Sequence, residues 1–203
     1  FCLRHHDVTE VAILGLRIAL SECRYQFKNE LWDCTNVMYH RGKQISDPNK
    51  GFKESSVIFA LLGASVSTQI SRACSAADLQ YSCGCTSAQS SHRADHSKTH
   101  TQTDFWGKLR RYSQACQSSL TYGDVMRKKF MERRSLRGQD ILWHVQQHNE
   151  NLGRKLVKKM AIVRCKCHGV SGSCQLKTCW KVAPDFRRVA DVIKTKFKMA
   201  VRV

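Results

Sequence analysis

Along much of this 203-residue chain, apolar residues recur at the three- and four-residue steps that place them on one side of a helix. The clearest run is Asp140 to Ile162, where Ile141, Val145, Leu152, Leu156 and Met160 mark one face. Arg154, Lys155, Lys158 and Lys159 lie largely away from it, as on a surface helix whose stripe is buried. A second stripe follows Pro184, a residue suited to a helix start. There Phe186, Val189, Ala190, Ile193, Phe197 and Val201 stand opposite Arg187, Arg188, Lys194 and Lys198. Such a helix either docks on its own protein or lies on a membrane surface. Nearer the N-terminus the apolar surface broadens. Asp7-Val8-Thr9-Glu10 reads as a capping box with Asp7 as N-cap, opening a core helix through Ile13, Leu14, Ile18 and Ala19 to about Lys28. Glu54 to Arg72 reads as a second buried helix, with Ala60, Gly63, Ala64 and Ser65 small enough for close helix packing, and Tyr122 to Arg134 as a short basic one.

Between these helices the pattern breaks. Residues 41–52, with Gly42, Asp47-Pro48-Asn49 and Gly51, are loop chemistry. Residues 86–104 are rich in Ser, Thr and His and poor in apolar residues, which predicts a mobile surface loop. His92, His96 and His100 fall there at helical spacing, but nothing around them would pack a helix and no metal role is assigned. In Val163 to Lys181 the helical period stops and β-compatible residues flank small ones, which predicts a hairpin with its tip at His168-Gly169-Val170-Ser171-Gly172-Ser173. If Cys167 paired with Cys174 and Cys165 with Cys179, two nested crosslinks would stiffen it into a finger that presents one hydroxyl. Ser171 is not a hydrolase nucleophile: that elbow needs glycine two residues after the serine, where Ser173 stands. An attachment or contact point is the better reading, and no enzymatic activity is expected.

Composition narrows the class. The longest mostly apolar run, Val57 to Val66, is half of the roughly 20 residues that a spanning helix needs, so no segment is expected to cross a membrane. Formal charge is +18, and it is uneven: residues 1–104 carry 11 basic and 10 acidic side chains, residues 105–203 carry 23 and 6. The second half is therefore expected to meet a polyanion. Eleven cysteines leave at least one without a partner in the chain. Cys83-Gly84-Cys85 and Cys165-Lys166-Cys167 are tighter than usual zinc bites. On a strand successive side chains alternate in direction, so each member of such a pair is expected to find a different partner, which suits disulfides and an oxidising, secretory environment.

The run Cys165-Lys166-Cys167-His168-Gly169-Val170-Ser171-Gly172-Ser173-Cys174, followed by Lys177-Thr178-Cys179-Trp180, resembles the signature of the Wnt family of secreted, lipid-modified morphogens. Supporting matches are Glu22-Cys23-Arg24-Tyr25-Gln26-Phe27 with Trp32-Asp33-Cys34, Arg72-Ala73-Cys74 with Cys83-Gly84-Cys85, Cys116 with Tyr122-Gly123, and Pro184-Asp185-Phe186. The resemblance implies a mainly α fold: a disulfide-stapled helical bundle with two small β-hairpins, one forming a projecting finger. It implies a helical domain over 1–182 that includes the finger 163–181, then a linker helix 183–203 leading toward a cysteine-rich C-terminal domain that this chain does not contain. It also implies the bonds Cys23–Cys34, Cys74–Cys83, Cys85–Cys116, Cys165–Cys179 and Cys167–Cys174, with Cys2 partnered upstream of Phe1.

By the same resemblance Ser171 receives a palmitoleoyl ester, the only cofactor-like group expected. The acyl chain enters a groove of the Frizzled cysteine-rich domain, with Lys166, His168, Gly169, Val170 and Gly172 as the finger's receptor contacts. Glycine beside the serine is expected to keep side chains clear of the acyltransferase and the groove. A basic patch of Arg154, Lys155, Lys158 and Lys159 is expected to serve a low-density-lipoprotein-receptor-related co-receptor or heparan sulfate proteoglycan. The protein is then extracellular or matrix-bound, with no nucleic-acid partner, no metal, and membrane association only through its lipid. Family members usually carry N-glycans, yet no Asn-x-Ser/Thr sequon occurs here. The competing class is an intracellular zinc-dependent nucleic-acid binder, which the charge permits and which requires free or metal-bound thiolates.

Overall fold

A computed structural model describes residues 1–32, 34, 53–79, 118–131 and 141–200. In chain order it contains α1 (His6–Gln26), α2 (Lys53–Ala76), α3 (Ser118–Met131), α4 (Ile141–Lys159), β1 (Ile162–Cys167), β2 (Lys177–Val182) and α5 (Phe186–Lys198). The two strands form one antiparallel hairpin, and among the described residues everything else regular is helix. The mainly α, disulfide-stapled architecture with a β-hairpin finger is therefore observed. The expected loops at 41–52 and 86–104, the second hairpin, and both cysteines of the Cys85–Cys116 bond lie outside the described residues.

The helix α2 is the centre of the fold. It is buried along nearly its whole length, from Ser55 to Cys74, because small residues on several of its faces let neighbours close in from different sides. By length and composition it could cross a membrane, longer than the run Val57 to Val66 suggested, yet 78% of that apolar window is buried inside the protein. Two apolar clusters share it. Its first half joins Ala19 and Cys23 of α1 with Phe27 just past its end, Leu156 and Val157 of α4, and Phe186, Val189 and Ile193 of α5. The second half, through Val66 and Ile70, joins Val8 and Ala12 of α1 and Met126 of α3.

Three neighbours bring a glycine to this helix. A Cβ built on Gly15 of α1 would stand 2.9 Å from Val66 Cα, one on Gly123 of α3 2.7 Å from the Ser67 carbonyl oxygen, and one on Gly153 of α4 2.0 Å from the Ala60 carbonyl oxygen. These are backbone contacts that no rotamer change can relieve. At the same crossing, Gly63 of α2 lies against the backbone of Glu150, where a Cβ would come within 2.5 Å of its carbonyl oxygen.

Beside that crossing the core holds charge. Arg127 is 1% and Glu150 0% exposed at the side chain, with Nη1 3.2 Å from Oε2, and Gln146 Nε2 donates to Glu150 Oε1 at 2.8 Å. Burial pushes the Arg127 guanidinium below its ordinary range, while Glu150 and then Asp124 push it back up. The Tyr122 phenol is raised above its ordinary value, first by burial and second by the Asp7 carboxylate. Removing one member of a buried pair strands the other charge, so this pair ties α3 to α4 more than it adds net stability.

Several boundaries differ from expectation. The N-cap of α1 is His5, and Asp7 sits inside the first turn, so the anticipated capping box does not form. Thr9 Oγ1 instead donates back to the His5 carbonyl at 2.7 Å, and Asp7 remains where a carboxylate suits the positive end of the helix. Pro184 is buried one residue before the N-cap Asp185 rather than inside the first turn of α5. On α4, Ile141 is 73% exposed while Leu156 is buried, so the stripe overhangs the core at its N-terminal end. The α5 stripe docks on its own protein: Phe186, Val189, Ala190 and Ile193 are buried.

A polar seam completes that docking. Arg187 Nε lies 3.4 Å from Glu22 Oε2 and its guanidinium carbon 4.0 Å from the centre of the Tyr25 ring. Gln26 Nε2 donates to Asp191 Oδ1 at 2.6 Å, and Lys194 donates to the Gln26 carbonyl.

Gly153→Ala is expected to lower stability by about 1–3 kcal/mol although alanine is the better helix former, read as a shift in urea midpoint at unchanged slope. An unshifted midpoint would show that α2 and α4 part without cost.

Candidate functional site: the crosslinked finger

The chain leaves helix after Lys159 and enters β1, whose first five residues are all solvent-exposed. With no apolar face buried, a two-stranded hairpin is marginal by itself, and here covalent bonds supply what burial does not. Cys165 pairs in register with Cys179 and is bonded to it, their Cα atoms 4.0 Å apart. At the strand end, Cys167 is bonded to Cys174, with Cα atoms 4.6 Å apart. The reason for separate partners differs from the one expected. Two residues apart on one strand, Cys165 and Cys167 share a face; they differ in partner because Cys165 stands opposite a cysteine, whereas Cys167, in the last pair of the ladder, stands opposite Lys177 and bonds to Cys174 in the turn.

The tip is a closed loop of backbone hydrogen bonds. His168 N–H donates to the Leu176 carbonyl at 2.7 Å, Gly169 N–H to Ser173 at 2.9 Å, Gly172 N–H to Gly169 at 3.0 Å and Ser173 N–H to Val170 at 3.2 Å. Ser171 has φ 57° and Gly172 φ 77°, the sign pattern of a type I′ turn over Val170–Ser173. The left-handed region costs an ordinary residue about 1 kcal/mol, so Ser171 is held there by its surroundings. A Cβ on Gly172 would meet nothing within 4 Å, so its glycine is needed for backbone conformation rather than for room; Gly169 is the reverse, since a Cβ there would stand 2.0 Å from Ser173 Oγ.

Chemically the tip offers a hydroxyl and an apolar knob. Ser171 is exposed, and the neighbouring Val170 is 90% exposed. Lys166 and His168 are also exposed, and His168 Nε2 lies 3.0 Å from Thr178 Oγ1, joining the two arms across the base of the turn. All six finger residues singled out from the sequence thus lie on one projection. Among the described residues, no carboxylate is bonded to His168 and nothing in the tip forms a nucleophile–base pair. Among the described residues, no group of three His, Cys, Asp or Glu could hold a metal.

Where the finger joins the body, Arg72 Nη2 donates to the Pro184 carbonyl at 2.9 Å, tying α2 to the junction between β2 and α5. Thr178 is buried although its strand neighbours Lys177 and Lys181 are exposed. Sequence reasoning quoted Arg72 only as a helix end and within the Arg72-Ala73-Cys74 match, and gave it no role.

The basic helix face is partly neutralised. Arg154 Nη1 and Lys158 Nζ stand 2.8 and 2.9 Å from Asp124 Oδ2, while Lys155 and Lys159 are exposed. The four expected cations therefore divide into two that bind α3 to α4 and two that face solvent. Elsewhere Cys23 is bonded to Cys34, Cys74 is disulfide-bonded although Cys83 lies outside the described residues, and Cys2 is an exposed free thiol.

Comparison with known proteins follows the same lines. The profile of the wnt family matches residues 1–203. A chain of the structure of human WLS in complex with WNT8A is 28% identical at a TM-score of 0.65, over 96% of this chain and 60% of that one. The crystal structure of the Drosophila WntD N-terminal domain-linker is 18% identical at a TM-score of 0.62, over 96% and 82%; at that identity the likeness speaks for the fold. This chain thus spans less than two thirds of the chain matched in the WLS complex. With a family profile over its whole length, the chain belongs to the Wnt family of secreted signalling ligands.

Proposed function

We propose that this chain acts as a signalling ligand that engages the Frizzled cysteine-rich domain through its finger, with Ser171 esterified by palmitoleate. The observation that supports this is an exposed hydroxyl on a turn fixed by four hydrogen bonds and two disulfides, on a hairpin that buries little apolar surface of its own. Burying about 14 methylene-scale groups at roughly 0.8 kcal/mol each would supply on the order of 11 kcal/mol before ordering costs. A fingertip's few side chains would add less, so the lipid dominates. Preorganisation matters because a turn already locked in its bound shape loses little entropy on docking.

Lys166, His168, Gly169, Val170 and Gly172 surround the lipid and form the protein part of that contact. Lys155 and Lys159 serve a heparan sulfate chain or an acidic face of a low-density-lipoprotein-receptor-related co-receptor, at the cell surface or in the matrix. The likeness to the WNT8A complex supports a WLS-type partner as well. The zinc-dependent nucleic-acid reading loses its ligands, since Cys165, Cys167, Cys174 and Cys179 are consumed in disulfides.

Secreted protein is expected to carry an acyl adduct by intact mass that Ser171→Ala removes, along with Frizzled-domain binding. An unmodified secreted protein that binds equally well would sink the lipid part. Charge reversal at Lys155 and Lys159 should lower the salt concentration that elutes the protein from heparin, more than reversal at Arg154 and Lys158 does in folded protein. Equal losses from both pairs would overturn the division made by Asp124.

A further inference from the structure

We propose that the Cys165–Cys179 bond is a reducible site, opened in the folded protein by an external dithiol that leaves the Cys23–Cys34 bond intact, so that the finger alone can be disarmed. The described disulfides differ sharply in access. Cys23 and Cys34 are 1% and 2% exposed and lie in the cluster with Phe27 and Trp32, so attack on them requires the core to open. Cys165 is exposed and Cys179 half-buried on a hairpin outside that core.

Charge then selects between the finger's two bonds. Lys177 and Lys181 stand two residues either side of Cys179 on β2, hence on its face of the ladder, and both are exposed. They attract an approaching thiolate and stabilise the sulfur that departs as one. The Cys167–Cys174 bond has Lys177 opposite Cys167 but no second lysine bracketing it in register. The chemistry is ordinary exchange. A thiolate of the dithiol attacks one sulfur, the other leaves as thiolate, and the dithiol's second sulfur displaces the mixed disulfide as its own ring closes. The dithiol is oxidised by two electrons, and its two protons end on Cys165 and Cys179. Because the register keeps the two Cα atoms opposite, a small-molecule disulfide restores the bond by the reverse exchange, itself reduced to two thiols, without refolding the body.

The consequence for signalling rests on the receptor reading above. With the ladder bond gone, only strand pairing joins the tip to the base, and a two-stranded hairpin holds its shape poorly alone.

The test starts from folded, secreted protein with Cys2 alkylated first. It is treated with graded dithiothreitol without denaturant, quenched by a second alkylating agent and mapped by peptide mass spectrometry. Cys165 and Cys179 should label about tenfold or more faster than Cys23 and Cys34, as expected for an exposed against a buried disulfide, and ahead of Cys167 and Cys174. Simultaneous labelling of Cys23 and Cys34, or prior labelling of Cys167 and Cys174, overturns the proposal. Anionic 2-mercaptoethanesulfonate should outpace cationic cysteamine, and Lys177→Gln with Lys181→Gln should narrow that ratio about threefold or more through loss of local charge; an unchanged ratio removes the lysines' role. Affinity for a Frizzled cysteine-rich domain, measured before and after selective reduction, should fall. If the oxidised protein does not bind, the receptor reading fails while the labelling order still stands or falls by itself. Unaltered binding after reduction would overturn the finger's disarming.

Discussion

Backbone-to-backbone contact along α2 is the constraint on which the rest of the molecule depends. A helix with Ala60, Gly63, Ala64, Ser65 and Ser67 on its surface offers little side-chain volume, so its neighbours gain burial only by coming very close, and they can do so only where they too lack a Cβ. Gly15, Gly123 and Gly153 meet that demand on three separate helices. The serines do not spoil the apolar interior because their hydroxyls find acceptors nearby: Ser65 on the Gly15 carbonyl at 2.7 Å, Ser71 on the Ser67 carbonyl at 2.7 Å. Close packing of this kind leaves few alternative arrangements. Arg72, reaching from the same helix to Pro184, then carries that fixed geometry to the finger's base.

Electrostatics follows from the packing. Of the six acidic residues between 105 and 203, three are spent on internal ties: Asp124 on Arg154 and Lys158, Glu150 on Arg127, Asp191 on Gln26. Negative charge is drawn into the helix seams, and the unmatched cations are left facing outward on α4, the finger and α5. Among the described residues the positive charge is thus left on the exterior by the way these carboxylates are used, so a well-packed core and a cation-rich surface coexist in one fold.

How much of this was legible in the sequence depends on the range of the interaction. Periodicity located α4 and α5 because a stripe such as Phe186, Val189, Ala190 and Ile193 is a local record of which face is buried. The hairpin and its serine were legible because glycine and cysteine spacing encodes turn chemistry over a few residues. The start of α1 was misplaced by two residues, since Thr9 satisfies the His5 carbonyl as Asp7 was expected to satisfy an N–H, and a four-residue string does not distinguish the two. The role of Asp124 was invisible: besides Arg127 three residues on, its partners lie 30 and 34 residues away, and only the crossing of α3 with α4 brings them to one carboxylate. The same holds for Glu150, a charged residue that nothing local marks as buried.

Body and finger therefore obey different rules, and the division bears on what the serine can do. In the body, conformation follows from burial, so any residue forced into an unfavourable backbone would be penalised against a packed alternative. In the finger almost nothing is buried, and shape comes from covalent loops and the short hydrogen bonds inside them. Such a framework can hold Ser171 in a left-handed conformation without a core to oppose it, and can keep Val170 in water where a core would draw it in. It also means that the tip's geometry is insulated from exchanges in the body's packing but exposed to chemistry in the surrounding medium. The feature that lets a small protein present one hydroxyl rigidly is the same feature that makes that presentation conditional on its sulfur bonds.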